Sequence, residues 1–193
     1  MIDKKTALTV VGYLRNIILI SCVLAGLCGR LVLASEPSHL QLIDHLDRPV
    51  DGYCVDVHGT SGNLRTDLPL FAHNCKATLT SDSAVVLDSG GAIRFVDLDL
   101  CITVAGVNSA ALPGAAVILR ECGESGVFFE TQALQQFTHR ADDLLELNNS
   151  GLCLAVGVRS GVTYASSHRW RPLFVDDCAS AESSYMRWRF IVP

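Results

Sequence analysis

The chain lacks the short motifs around which most hydrolytic and phosphoryl-transfer sites are built. Its six histidines, His39, His45, His58, His73, His139 and His168, include no His-Glu-x-x-His pair. No Gly-x-Ser-x-Gly elbow and no phosphate-loop glycine pattern occurs. The acidic pairs Asp142/Asp143 and Asp176/Asp177 are sequence neighbours, which point to opposite faces of a strand and so do not form a catalytic couple. Basic charge is also scarce, with 15 Lys and Arg against 20 Asp and Glu. A sequence-independent nucleic-acid binder needs a basic surface to displace counterions, and only Arg169, Arg171, Arg187 and Arg189 offer a local group. No segment beyond the N-terminal leader keeps a helical hydrophobic period for a useful length. Together these absences argue against an enzyme and against a nucleic-acid partner.

The first 34 residues have the order of a secretory signal peptide. Lys4, Lys5 and Arg15 precede an apolar run from Ile17 to Cys28, and small residues follow near Leu33-Ala34-Ser35. Cleavage after Ala34 would leave residues 35–193 as the mature domain. Arg30, between the run and the cleavage point, departs from the signal-peptide pattern and leaves an uncleaved membrane anchor as the alternative, but the run is shorter than the roughly 20 residues of a span. Leu19-Ile20-Ser21-Cys22 resembles a lipobox, with too little apolar sequence before its cysteine. Removing the leader takes away four basic residues and Asp3. The 15 basic and 20 acidic residues then become 11 and 19, a formal charge of −8. The expected location is secreted or periplasmic, with membrane association only through an uncleaved leader.

The remaining six cysteines fall into three similar pairs: Cys54 and Cys75, Cys101 and Cys122, Cys153 and Cys178. The first members are 47 and 52 residues apart, the second members 47 and 56. One unit is written three times, approximately over 40–90, 91–141 and 142–193. Pairing within each copy is the simplest of about 15 possible connectivities. Such pairing consumes the thiols, leaving none for zinc or for nucleophilic attack, and it fits export to an oxidising compartment. No cofactor or metal is expected.

Each copy has a β-prone run, a polar loop with glycine, and a second β-prone run ending in cysteine. Copy one reads Tyr53-Cys54-Val55-Asp56-Val57 and Leu70-Phe71-Ala72-His73-Asn74-Cys75. Copies two and three repeat this from Leu100 to Cys122 and from Leu152 to Cys178. Gly90-Gly91 and Asn148-Asn149-Ser150-Gly151 punctuate further runs as hairpins. Asn148-Asn149-Ser150 is also a glycosylation sequon, and Glu130–His139 could hold a turn or two of helix. Short strands at regular intervals predict an all-β barrel built by repetition.

Cys54-Val55-Asp56-Val57 with its polar loop and Cys75 resembles the sugar-binding repeat of ricin B-type lectins. The resemblance spans the mature chain. That family closes each repeat with Gln-x-Trp. Here the places are taken by Ser83-Ala84-Val85, Gln135-Gln136-Phe137 and Met186-Arg187-Trp188. The resemblance implies a β-trefoil of three disulfide-stapled repeats, with the aromatic residues Phe137 and Trp188 in its core.

It also implies a site. The family's aspartate, accepting hydrogen bonds from neighbouring sugar hydroxyls, corresponds to Asp56. Thr103 and Ala155 stand at the equivalent positions of the other copies. The aromatic platform corresponds to His73, and the polar contacts after the second cysteine to Asp82 and Ser83. The expected carbohydrate site is therefore Asp56, His73, Asp82 and Ser83, in copy one alone. The partner is a glycan or glycoconjugate. The alternative is a protein-interaction subunit, a toxin or adhesin accessory, whose degenerate trefoil no longer binds sugar. Loss of the signature glutamines fits that alternative; retention of Asp56 fits a lectin. Trp170, between Arg169 and Arg171 in a copy-three insertion, is read either as packed against the barrel or as a partner contact.

Overall fold

A computed structural model describes residues 36–60, 62–126, 129–163, 165–179 and 182–193. The leader and its cleavage point lie outside the described residues. Copy one supplies β1 (His39–Leu42), β2 (Tyr53–Asp56), β3 (Gly59–Thr60), β4 (Asn63–Leu64) and β5 (Phe71–Asn74). β6 (Val85–Leu87) closes copy one, and copy two contributes β7 (Ile93–Phe95), β8 (Leu100–Val104), β9 (Val117–Glu121), β10 (Ser125–Gly126), β11 (Phe129–Glu130), α1 (Thr131–Gln135) and β12 (Phe137–His139). Copy three contains β13 (Leu145–Leu147), β14 (Leu152–Val156), β15 (Gly161–Val162), β16 (Arg169–Asp177) and β17 (Trp188–Ile191). The expected turn of helix is α1, five residues long.

The three copies share one register. Cys54 faces His73 across β2 and β5, Cys101 faces Arg120 across β8 and β9, and Cys153 faces Asp176 across β14 and β16. The strand before each first cysteine pairs in the same way: Gln41 with Cys54, Arg94 with Cys101, Glu146 with Cys153. Because side chains alternate with period two, this shared register gives each copy the same inward set. Bridges Ser38–Val85, Ala92–Gln136 and Leu144–Arg187 tie the start of each copy to its own end at similar places. The last strand, β17, returns to β1, pairing Leu42 with Trp188 and His39 with Ile191, and closes the ring.

The closed ring buries one continuous apolar core. Val85, Phe137 and Trp188, which take the aromatic place of each repeat, are all buried and belong to it. The Trp188 indole Nε1 donates to the Leu154 carbonyl at 3.0 Å, so its one polar atom is satisfied. Disulfides join Cys54 to Cys75, Cys101 to Cys122 and Cys153 to Cys178, with Cα separations of 4.9, 5.0 and 5.0 Å. Each staples the two central strands of its own copy at the end where the chain leaves for the next loop.

Three of the four arginines near the C-terminus are engaged by neighbouring groups. Arg171 is buried, bonded to Asp47 and to the Gly157 carbonyl. Arg169 donates to Ser160, and Arg189 donates twice to Gln41.

Candidate functional site

Asp56 ends β2, opposite Phe71 in the β2–β5 ladder. Its side chain is 5% exposed, which is costly for a carboxylate unless it is paired. The partner is Lys76, whose Nζ lies 3.1 and 2.9 Å from the two oxygens of Asp56. The same Nζ lies 2.6 Å from Asp82 Oδ2. One ammonium thus holds two carboxylates that would otherwise repel. Asp56 Oδ1 also accepts from the Val57 amide at 2.8 Å, and Asp82 Oδ1 from the Thr80 hydroxyl at 2.5 Å. Burial works against ionisation of Asp82, but Lys76 and Thr80 outweigh it and hold the carboxyl below its ordinary range.

A wall of rings rises beside this ion cluster. His58 stacks on Phe71 at 4.0 Å between centroids, Phe71 meets His73 at 5.6 Å, and His73 meets His168 edge-on at 5.5 Å. His73 Nδ1 is 3.5 Å from Asp56 Oδ2. Burial pushes the His58 imidazole down from its ordinary value, favouring the neutral ring. Trp170 faces His73 across the β5–β16 ladder. Cluster and rings line one cavity of about 630 Å³. It is the size of a small-ligand pocket, with an apolar wall and a few converging polar groups.

Two of these rings, His168 and Trp170, come from copy three. The β15–β16 hairpin carries them across to copy one, where side chains tie it down. Asn74 Oδ1 accepts from the Arg169 amide at 2.8 Å, and its Nδ2 donates to the Ser167 carbonyl at 3.1 Å. Arg48 donates to the same carbonyl at 2.6 Å. Asp47 accepts from Ser160, Arg171 and Tyr53 at 2.6, 2.6 and 2.8 Å. Desolvation opposes charge on Asp47, yet these donors hold its carboxyl far below the usual range. At Gly161 a Cβ would sit 2.4 Å from Trp170 Nε1, so the hairpin closes against the indole only because no side chain is there.

The equivalent places in the other copies are filled differently. In copy two, Thr103 accepts from Gln135 Nε2 at 2.9 Å, and Gln135 also engages the Glu121 carbonyl and the Gly123 amide. A cavity beside Thr103 is about 180 Å³. In copy three, Ala155 packs with Met186, Leu144 and Cys153 in a small apolar cluster. One position therefore carries an ion pair, then a neutral hydrogen bond, then an apolar contact.

The geometry can be set beside known proteins. No family model and no curated protein matches the chain. Solved structures do. The agglutinin of Abrus precatorius superposes with a TM-score of 0.55 at 19% identity, covering 84% of this chain. The chain spans about half, 51%, of the agglutinin chain it matches. The β-trefoil lectin of the Vibrio vulnificus hemolysin/cytolysin, solved with N-acetyl-D-lactosamine bound, gives 0.53 at 17% identity over 82% of this chain and 96% of its own. The solution structure of the mdaA-1 domain gives 0.56 at 15% identity over 86% and 98%. The fold is a β-trefoil.

Within this trefoil, three of the four sugar contacts expected from sequence line one cavity: Asp56, His73 and Asp82. Ser83 does not. It is 1% exposed, and its hydroxyl is taken by Thr80, so it shapes the Thr80–Ser83 turn that presents Asp82. Lys76, His58, Phe71 and Trp170 also line the cavity, although the lectin resemblance assigns them no sugar contact. Lys76 left a trace in the sequence: it follows Cys75, where the other copies have Gly123 and Ala179. Trp170 packs against the trefoil, opposite His73, and lines the cavity. Among the described residues, no group of three or more His, Cys, Asp or Glu is placed to hold a metal ion.

Proposed function

We propose that the protein is an exported, non-catalytic lectin that binds carbohydrate in the copy-one cavity. The observation that carries this reading is the Asp56 carboxylate, buried at the foot of an aromatic wall and held by Lys76. A pyranose has the two matching features: a polar edge of vicinal hydroxyls and an apolar face. Asp56 and Asp82 accept from hydroxyls through charge-assisted bonds, while the rings of His73, Phe71 and Trp170 cover the apolar face. Both carboxylates are tied to one lysine, which suits fixed acceptors better than an acid and a base acting in turn. Copies two and three, with Thr103 bonded to Gln135 and Ala155 in apolar contact, serve as scaffold. Three disulfides and the leader-like N-terminus support export.

Glycan-array binding of the mature protein, with N-acetyl-D-lactosamine among the first probes, tests the reading. Asp56→Ala removes a charged acceptor and should weaken binding by about ten- to a hundredfold, equivalent to about 1.5–3 kcal/mol. Thr103→Ala should leave binding unchanged. Full affinity in a folded Asp56→Ala protein would remove the copy-one site. Failure of the parent protein to bind any glycan would move the reading to a protein-interaction module.

A further inference from the structure

A second depression adjoins the copy-one cavity. It is a groove of about 570 Å³ lined by Pro69, Phe71, Ala116, Trp170, Pro172 and Phe174, over a floor of Leu70 and Leu173. Among the described residues, no Asp, Glu, Lys or Arg lines it. Three residues, His58, Phe71 and Trp170, line both spaces. The two chemistries therefore meet along one shared wall, with ion-paired carboxylates on one side and an uncharged apolar trough on the other.

The groove is a product of the copy-three insertion. Trp170 reaches it because β16 extends beyond its pairing with β14 and continues along β5, placing Pro172 opposite Phe71 and Trp170 opposite His73. Ala116 and Phe174 are joined by a bridge on the far wall. Phe174 and Trp170 are only partly buried, as is Ala116, while Pro69 and Pro172 are exposed. This is apolar surface left open to solvent immediately beside a pocket suited to a sugar. Burial of His58, which favours its neutral form, keeps the shared wall uncharged.

We infer that the groove receives an uncharged apolar group attached to the bound sugar, making the ligand an amphiphilic glycoconjugate rather than a free saccharide. The inference rests on the carbohydrate reading of the cavity. An alkyl or aryl aglycone suits the trough because nothing in its lining pairs with charge and little pairs with hydroxyls. The volume admits a chain of modest length, so affinity should rise with alkyl length and then level off when the groove is full.

Calorimetry on the mature protein with methyl, butyl, hexyl and octyl β-glycosides of galactose, glucose, mannose and N-acetylglucosamine tests it, below micelle formation, with 1-octanol as control. For the sugar that binds, the octyl glycoside should bind at least about tenfold tighter than the methyl glycoside, given the usual gain per buried methylene. It should also bind at least about tenfold tighter than 1-octanol. Ala116→Asp, which puts a charge in the trough, should abolish the octyl advantage and leave the methyl glycoside unaffected. The chain-length series on the unaltered protein decides the matter even if that variant does not fold. Equal affinity of methyl and octyl glycosides would overturn the groove assignment and leave the sugar site standing. Octyl glycosides no tighter than 1-octanol, with methyl glycosides unbound, would overturn the sugar site and the joint site with it.

Discussion

Lys76 is the cation that holds the two carboxylates of the copy-one cavity together. Asp56 and Asp82 both lie within hydrogen-bond reach of its Nζ, and both side chains are largely buried. Removing the cation leaves two carboxylates facing one another with little water to screen them. Lys76→Met should lower stability by about 1–3 kcal/mol, a range set below that of a fully buried pair because Lys76 is 29% exposed. Adding Asp82→Asn to Lys76→Met should restore much of the loss, and Asp82→Asn alone should cost less than Lys76→Met. Urea titration of the three proteins measures this; a Lys76→Met protein as stable as the parent would show that the cluster has no structural weight. The same residues make stability fall with acid. His39 is fully buried, its Nε2 donating to the Lys76 carbonyl at 3.1 Å, and burial lowers its pKa from 6.5. His58 is lowered in the same direction by the same cause. The unfolded chain therefore takes up protons that the folded one resists, and stability should fall as pH drops below about 6.5. Asp82, depressed in the folded state, contributes above its unfolded value near 3.8 and loses that contribution as pH falls through its folded value. Two stages of acid destabilisation should appear in denaturant midpoints between pH 8 and 3. His39→Gln combined with His58→Gln should flatten the upper stage and leave the lower one.

The β15–β16 hairpin shows how an element borrowed from one copy completes a site in another. Asn74, at the end of β5, holds it through the Arg169 amide and the Ser167 carbonyl without itself lining the cavity. Asn74→Ala should loosen the strap and withdraw His168 and Trp170 from the wall. Loss of these two bonds and of the Asn74 Nδ2 donation to Asp51 Oδ2 at 2.8 Å predicts about 2–4 kcal/mol of destabilisation and a three- to tenfold drop in glycan affinity. Amide exchange over residues 160–170 should quicken while the core strands keep their protection; unchanged exchange there would show that the ladder and the Arg48 and Asp47 contacts hold the hairpin without Asn74. This element also marks how far the sequence could be read. Three cysteine pairs at near-constant spacing exposed the repeat, and the repeat carried the register, since period-two alternation leaves little freedom once both strand ends are stapled. Asp56, His73 and Asp82 were legible because each sits at a fixed offset from a cysteine. Phe71 and Trp170 were not, because their place in the wall depends on which strand lies beside β5. That neighbour is β16, roughly a hundred residues away, and only the folded ladder brings it there. Ser83 lies outside the cavity lining because a fixed offset says nothing about which way a four-residue turn points its side chains.

At the scale of the whole molecule, threefold repetition separates stability from function. The three disulfides are nearly alike in place and span, closing loops of 21, 21 and 25 residues' separation. Closing loops of this size should contribute about 3 kcal/mol each, so replacing any one pair should cost a similar amount. Their consequences for binding should differ. Cys75 adjoins Lys76, and its Sγ accepts from Gln41 Nε2 at 3.4 Å, so the copy-one disulfide anchors the chain that carries the ammonium. Cys122 leads instead to Gly123, whose amide is held by Gln135 in the filled copy-two position. Cys54→Ala with Cys75→Ala should therefore lower both thermal stability and glycan affinity. Cys101→Ala with Cys122→Ala should lower stability comparably and leave affinity within about twofold of the parent when both are assayed well below their unfolding temperatures. Non-reducing peptide mapping should first confirm that each double replacement keeps the other two pairs intact. If the copy-two replacement weakened binding as much as the copy-one replacement, the site would depend on the global rigidity of the trefoil rather than on the local anchoring of Lys76. A single working copy would then be an inadequate account of a ring in which β17 must close on β1 before any cavity is complete.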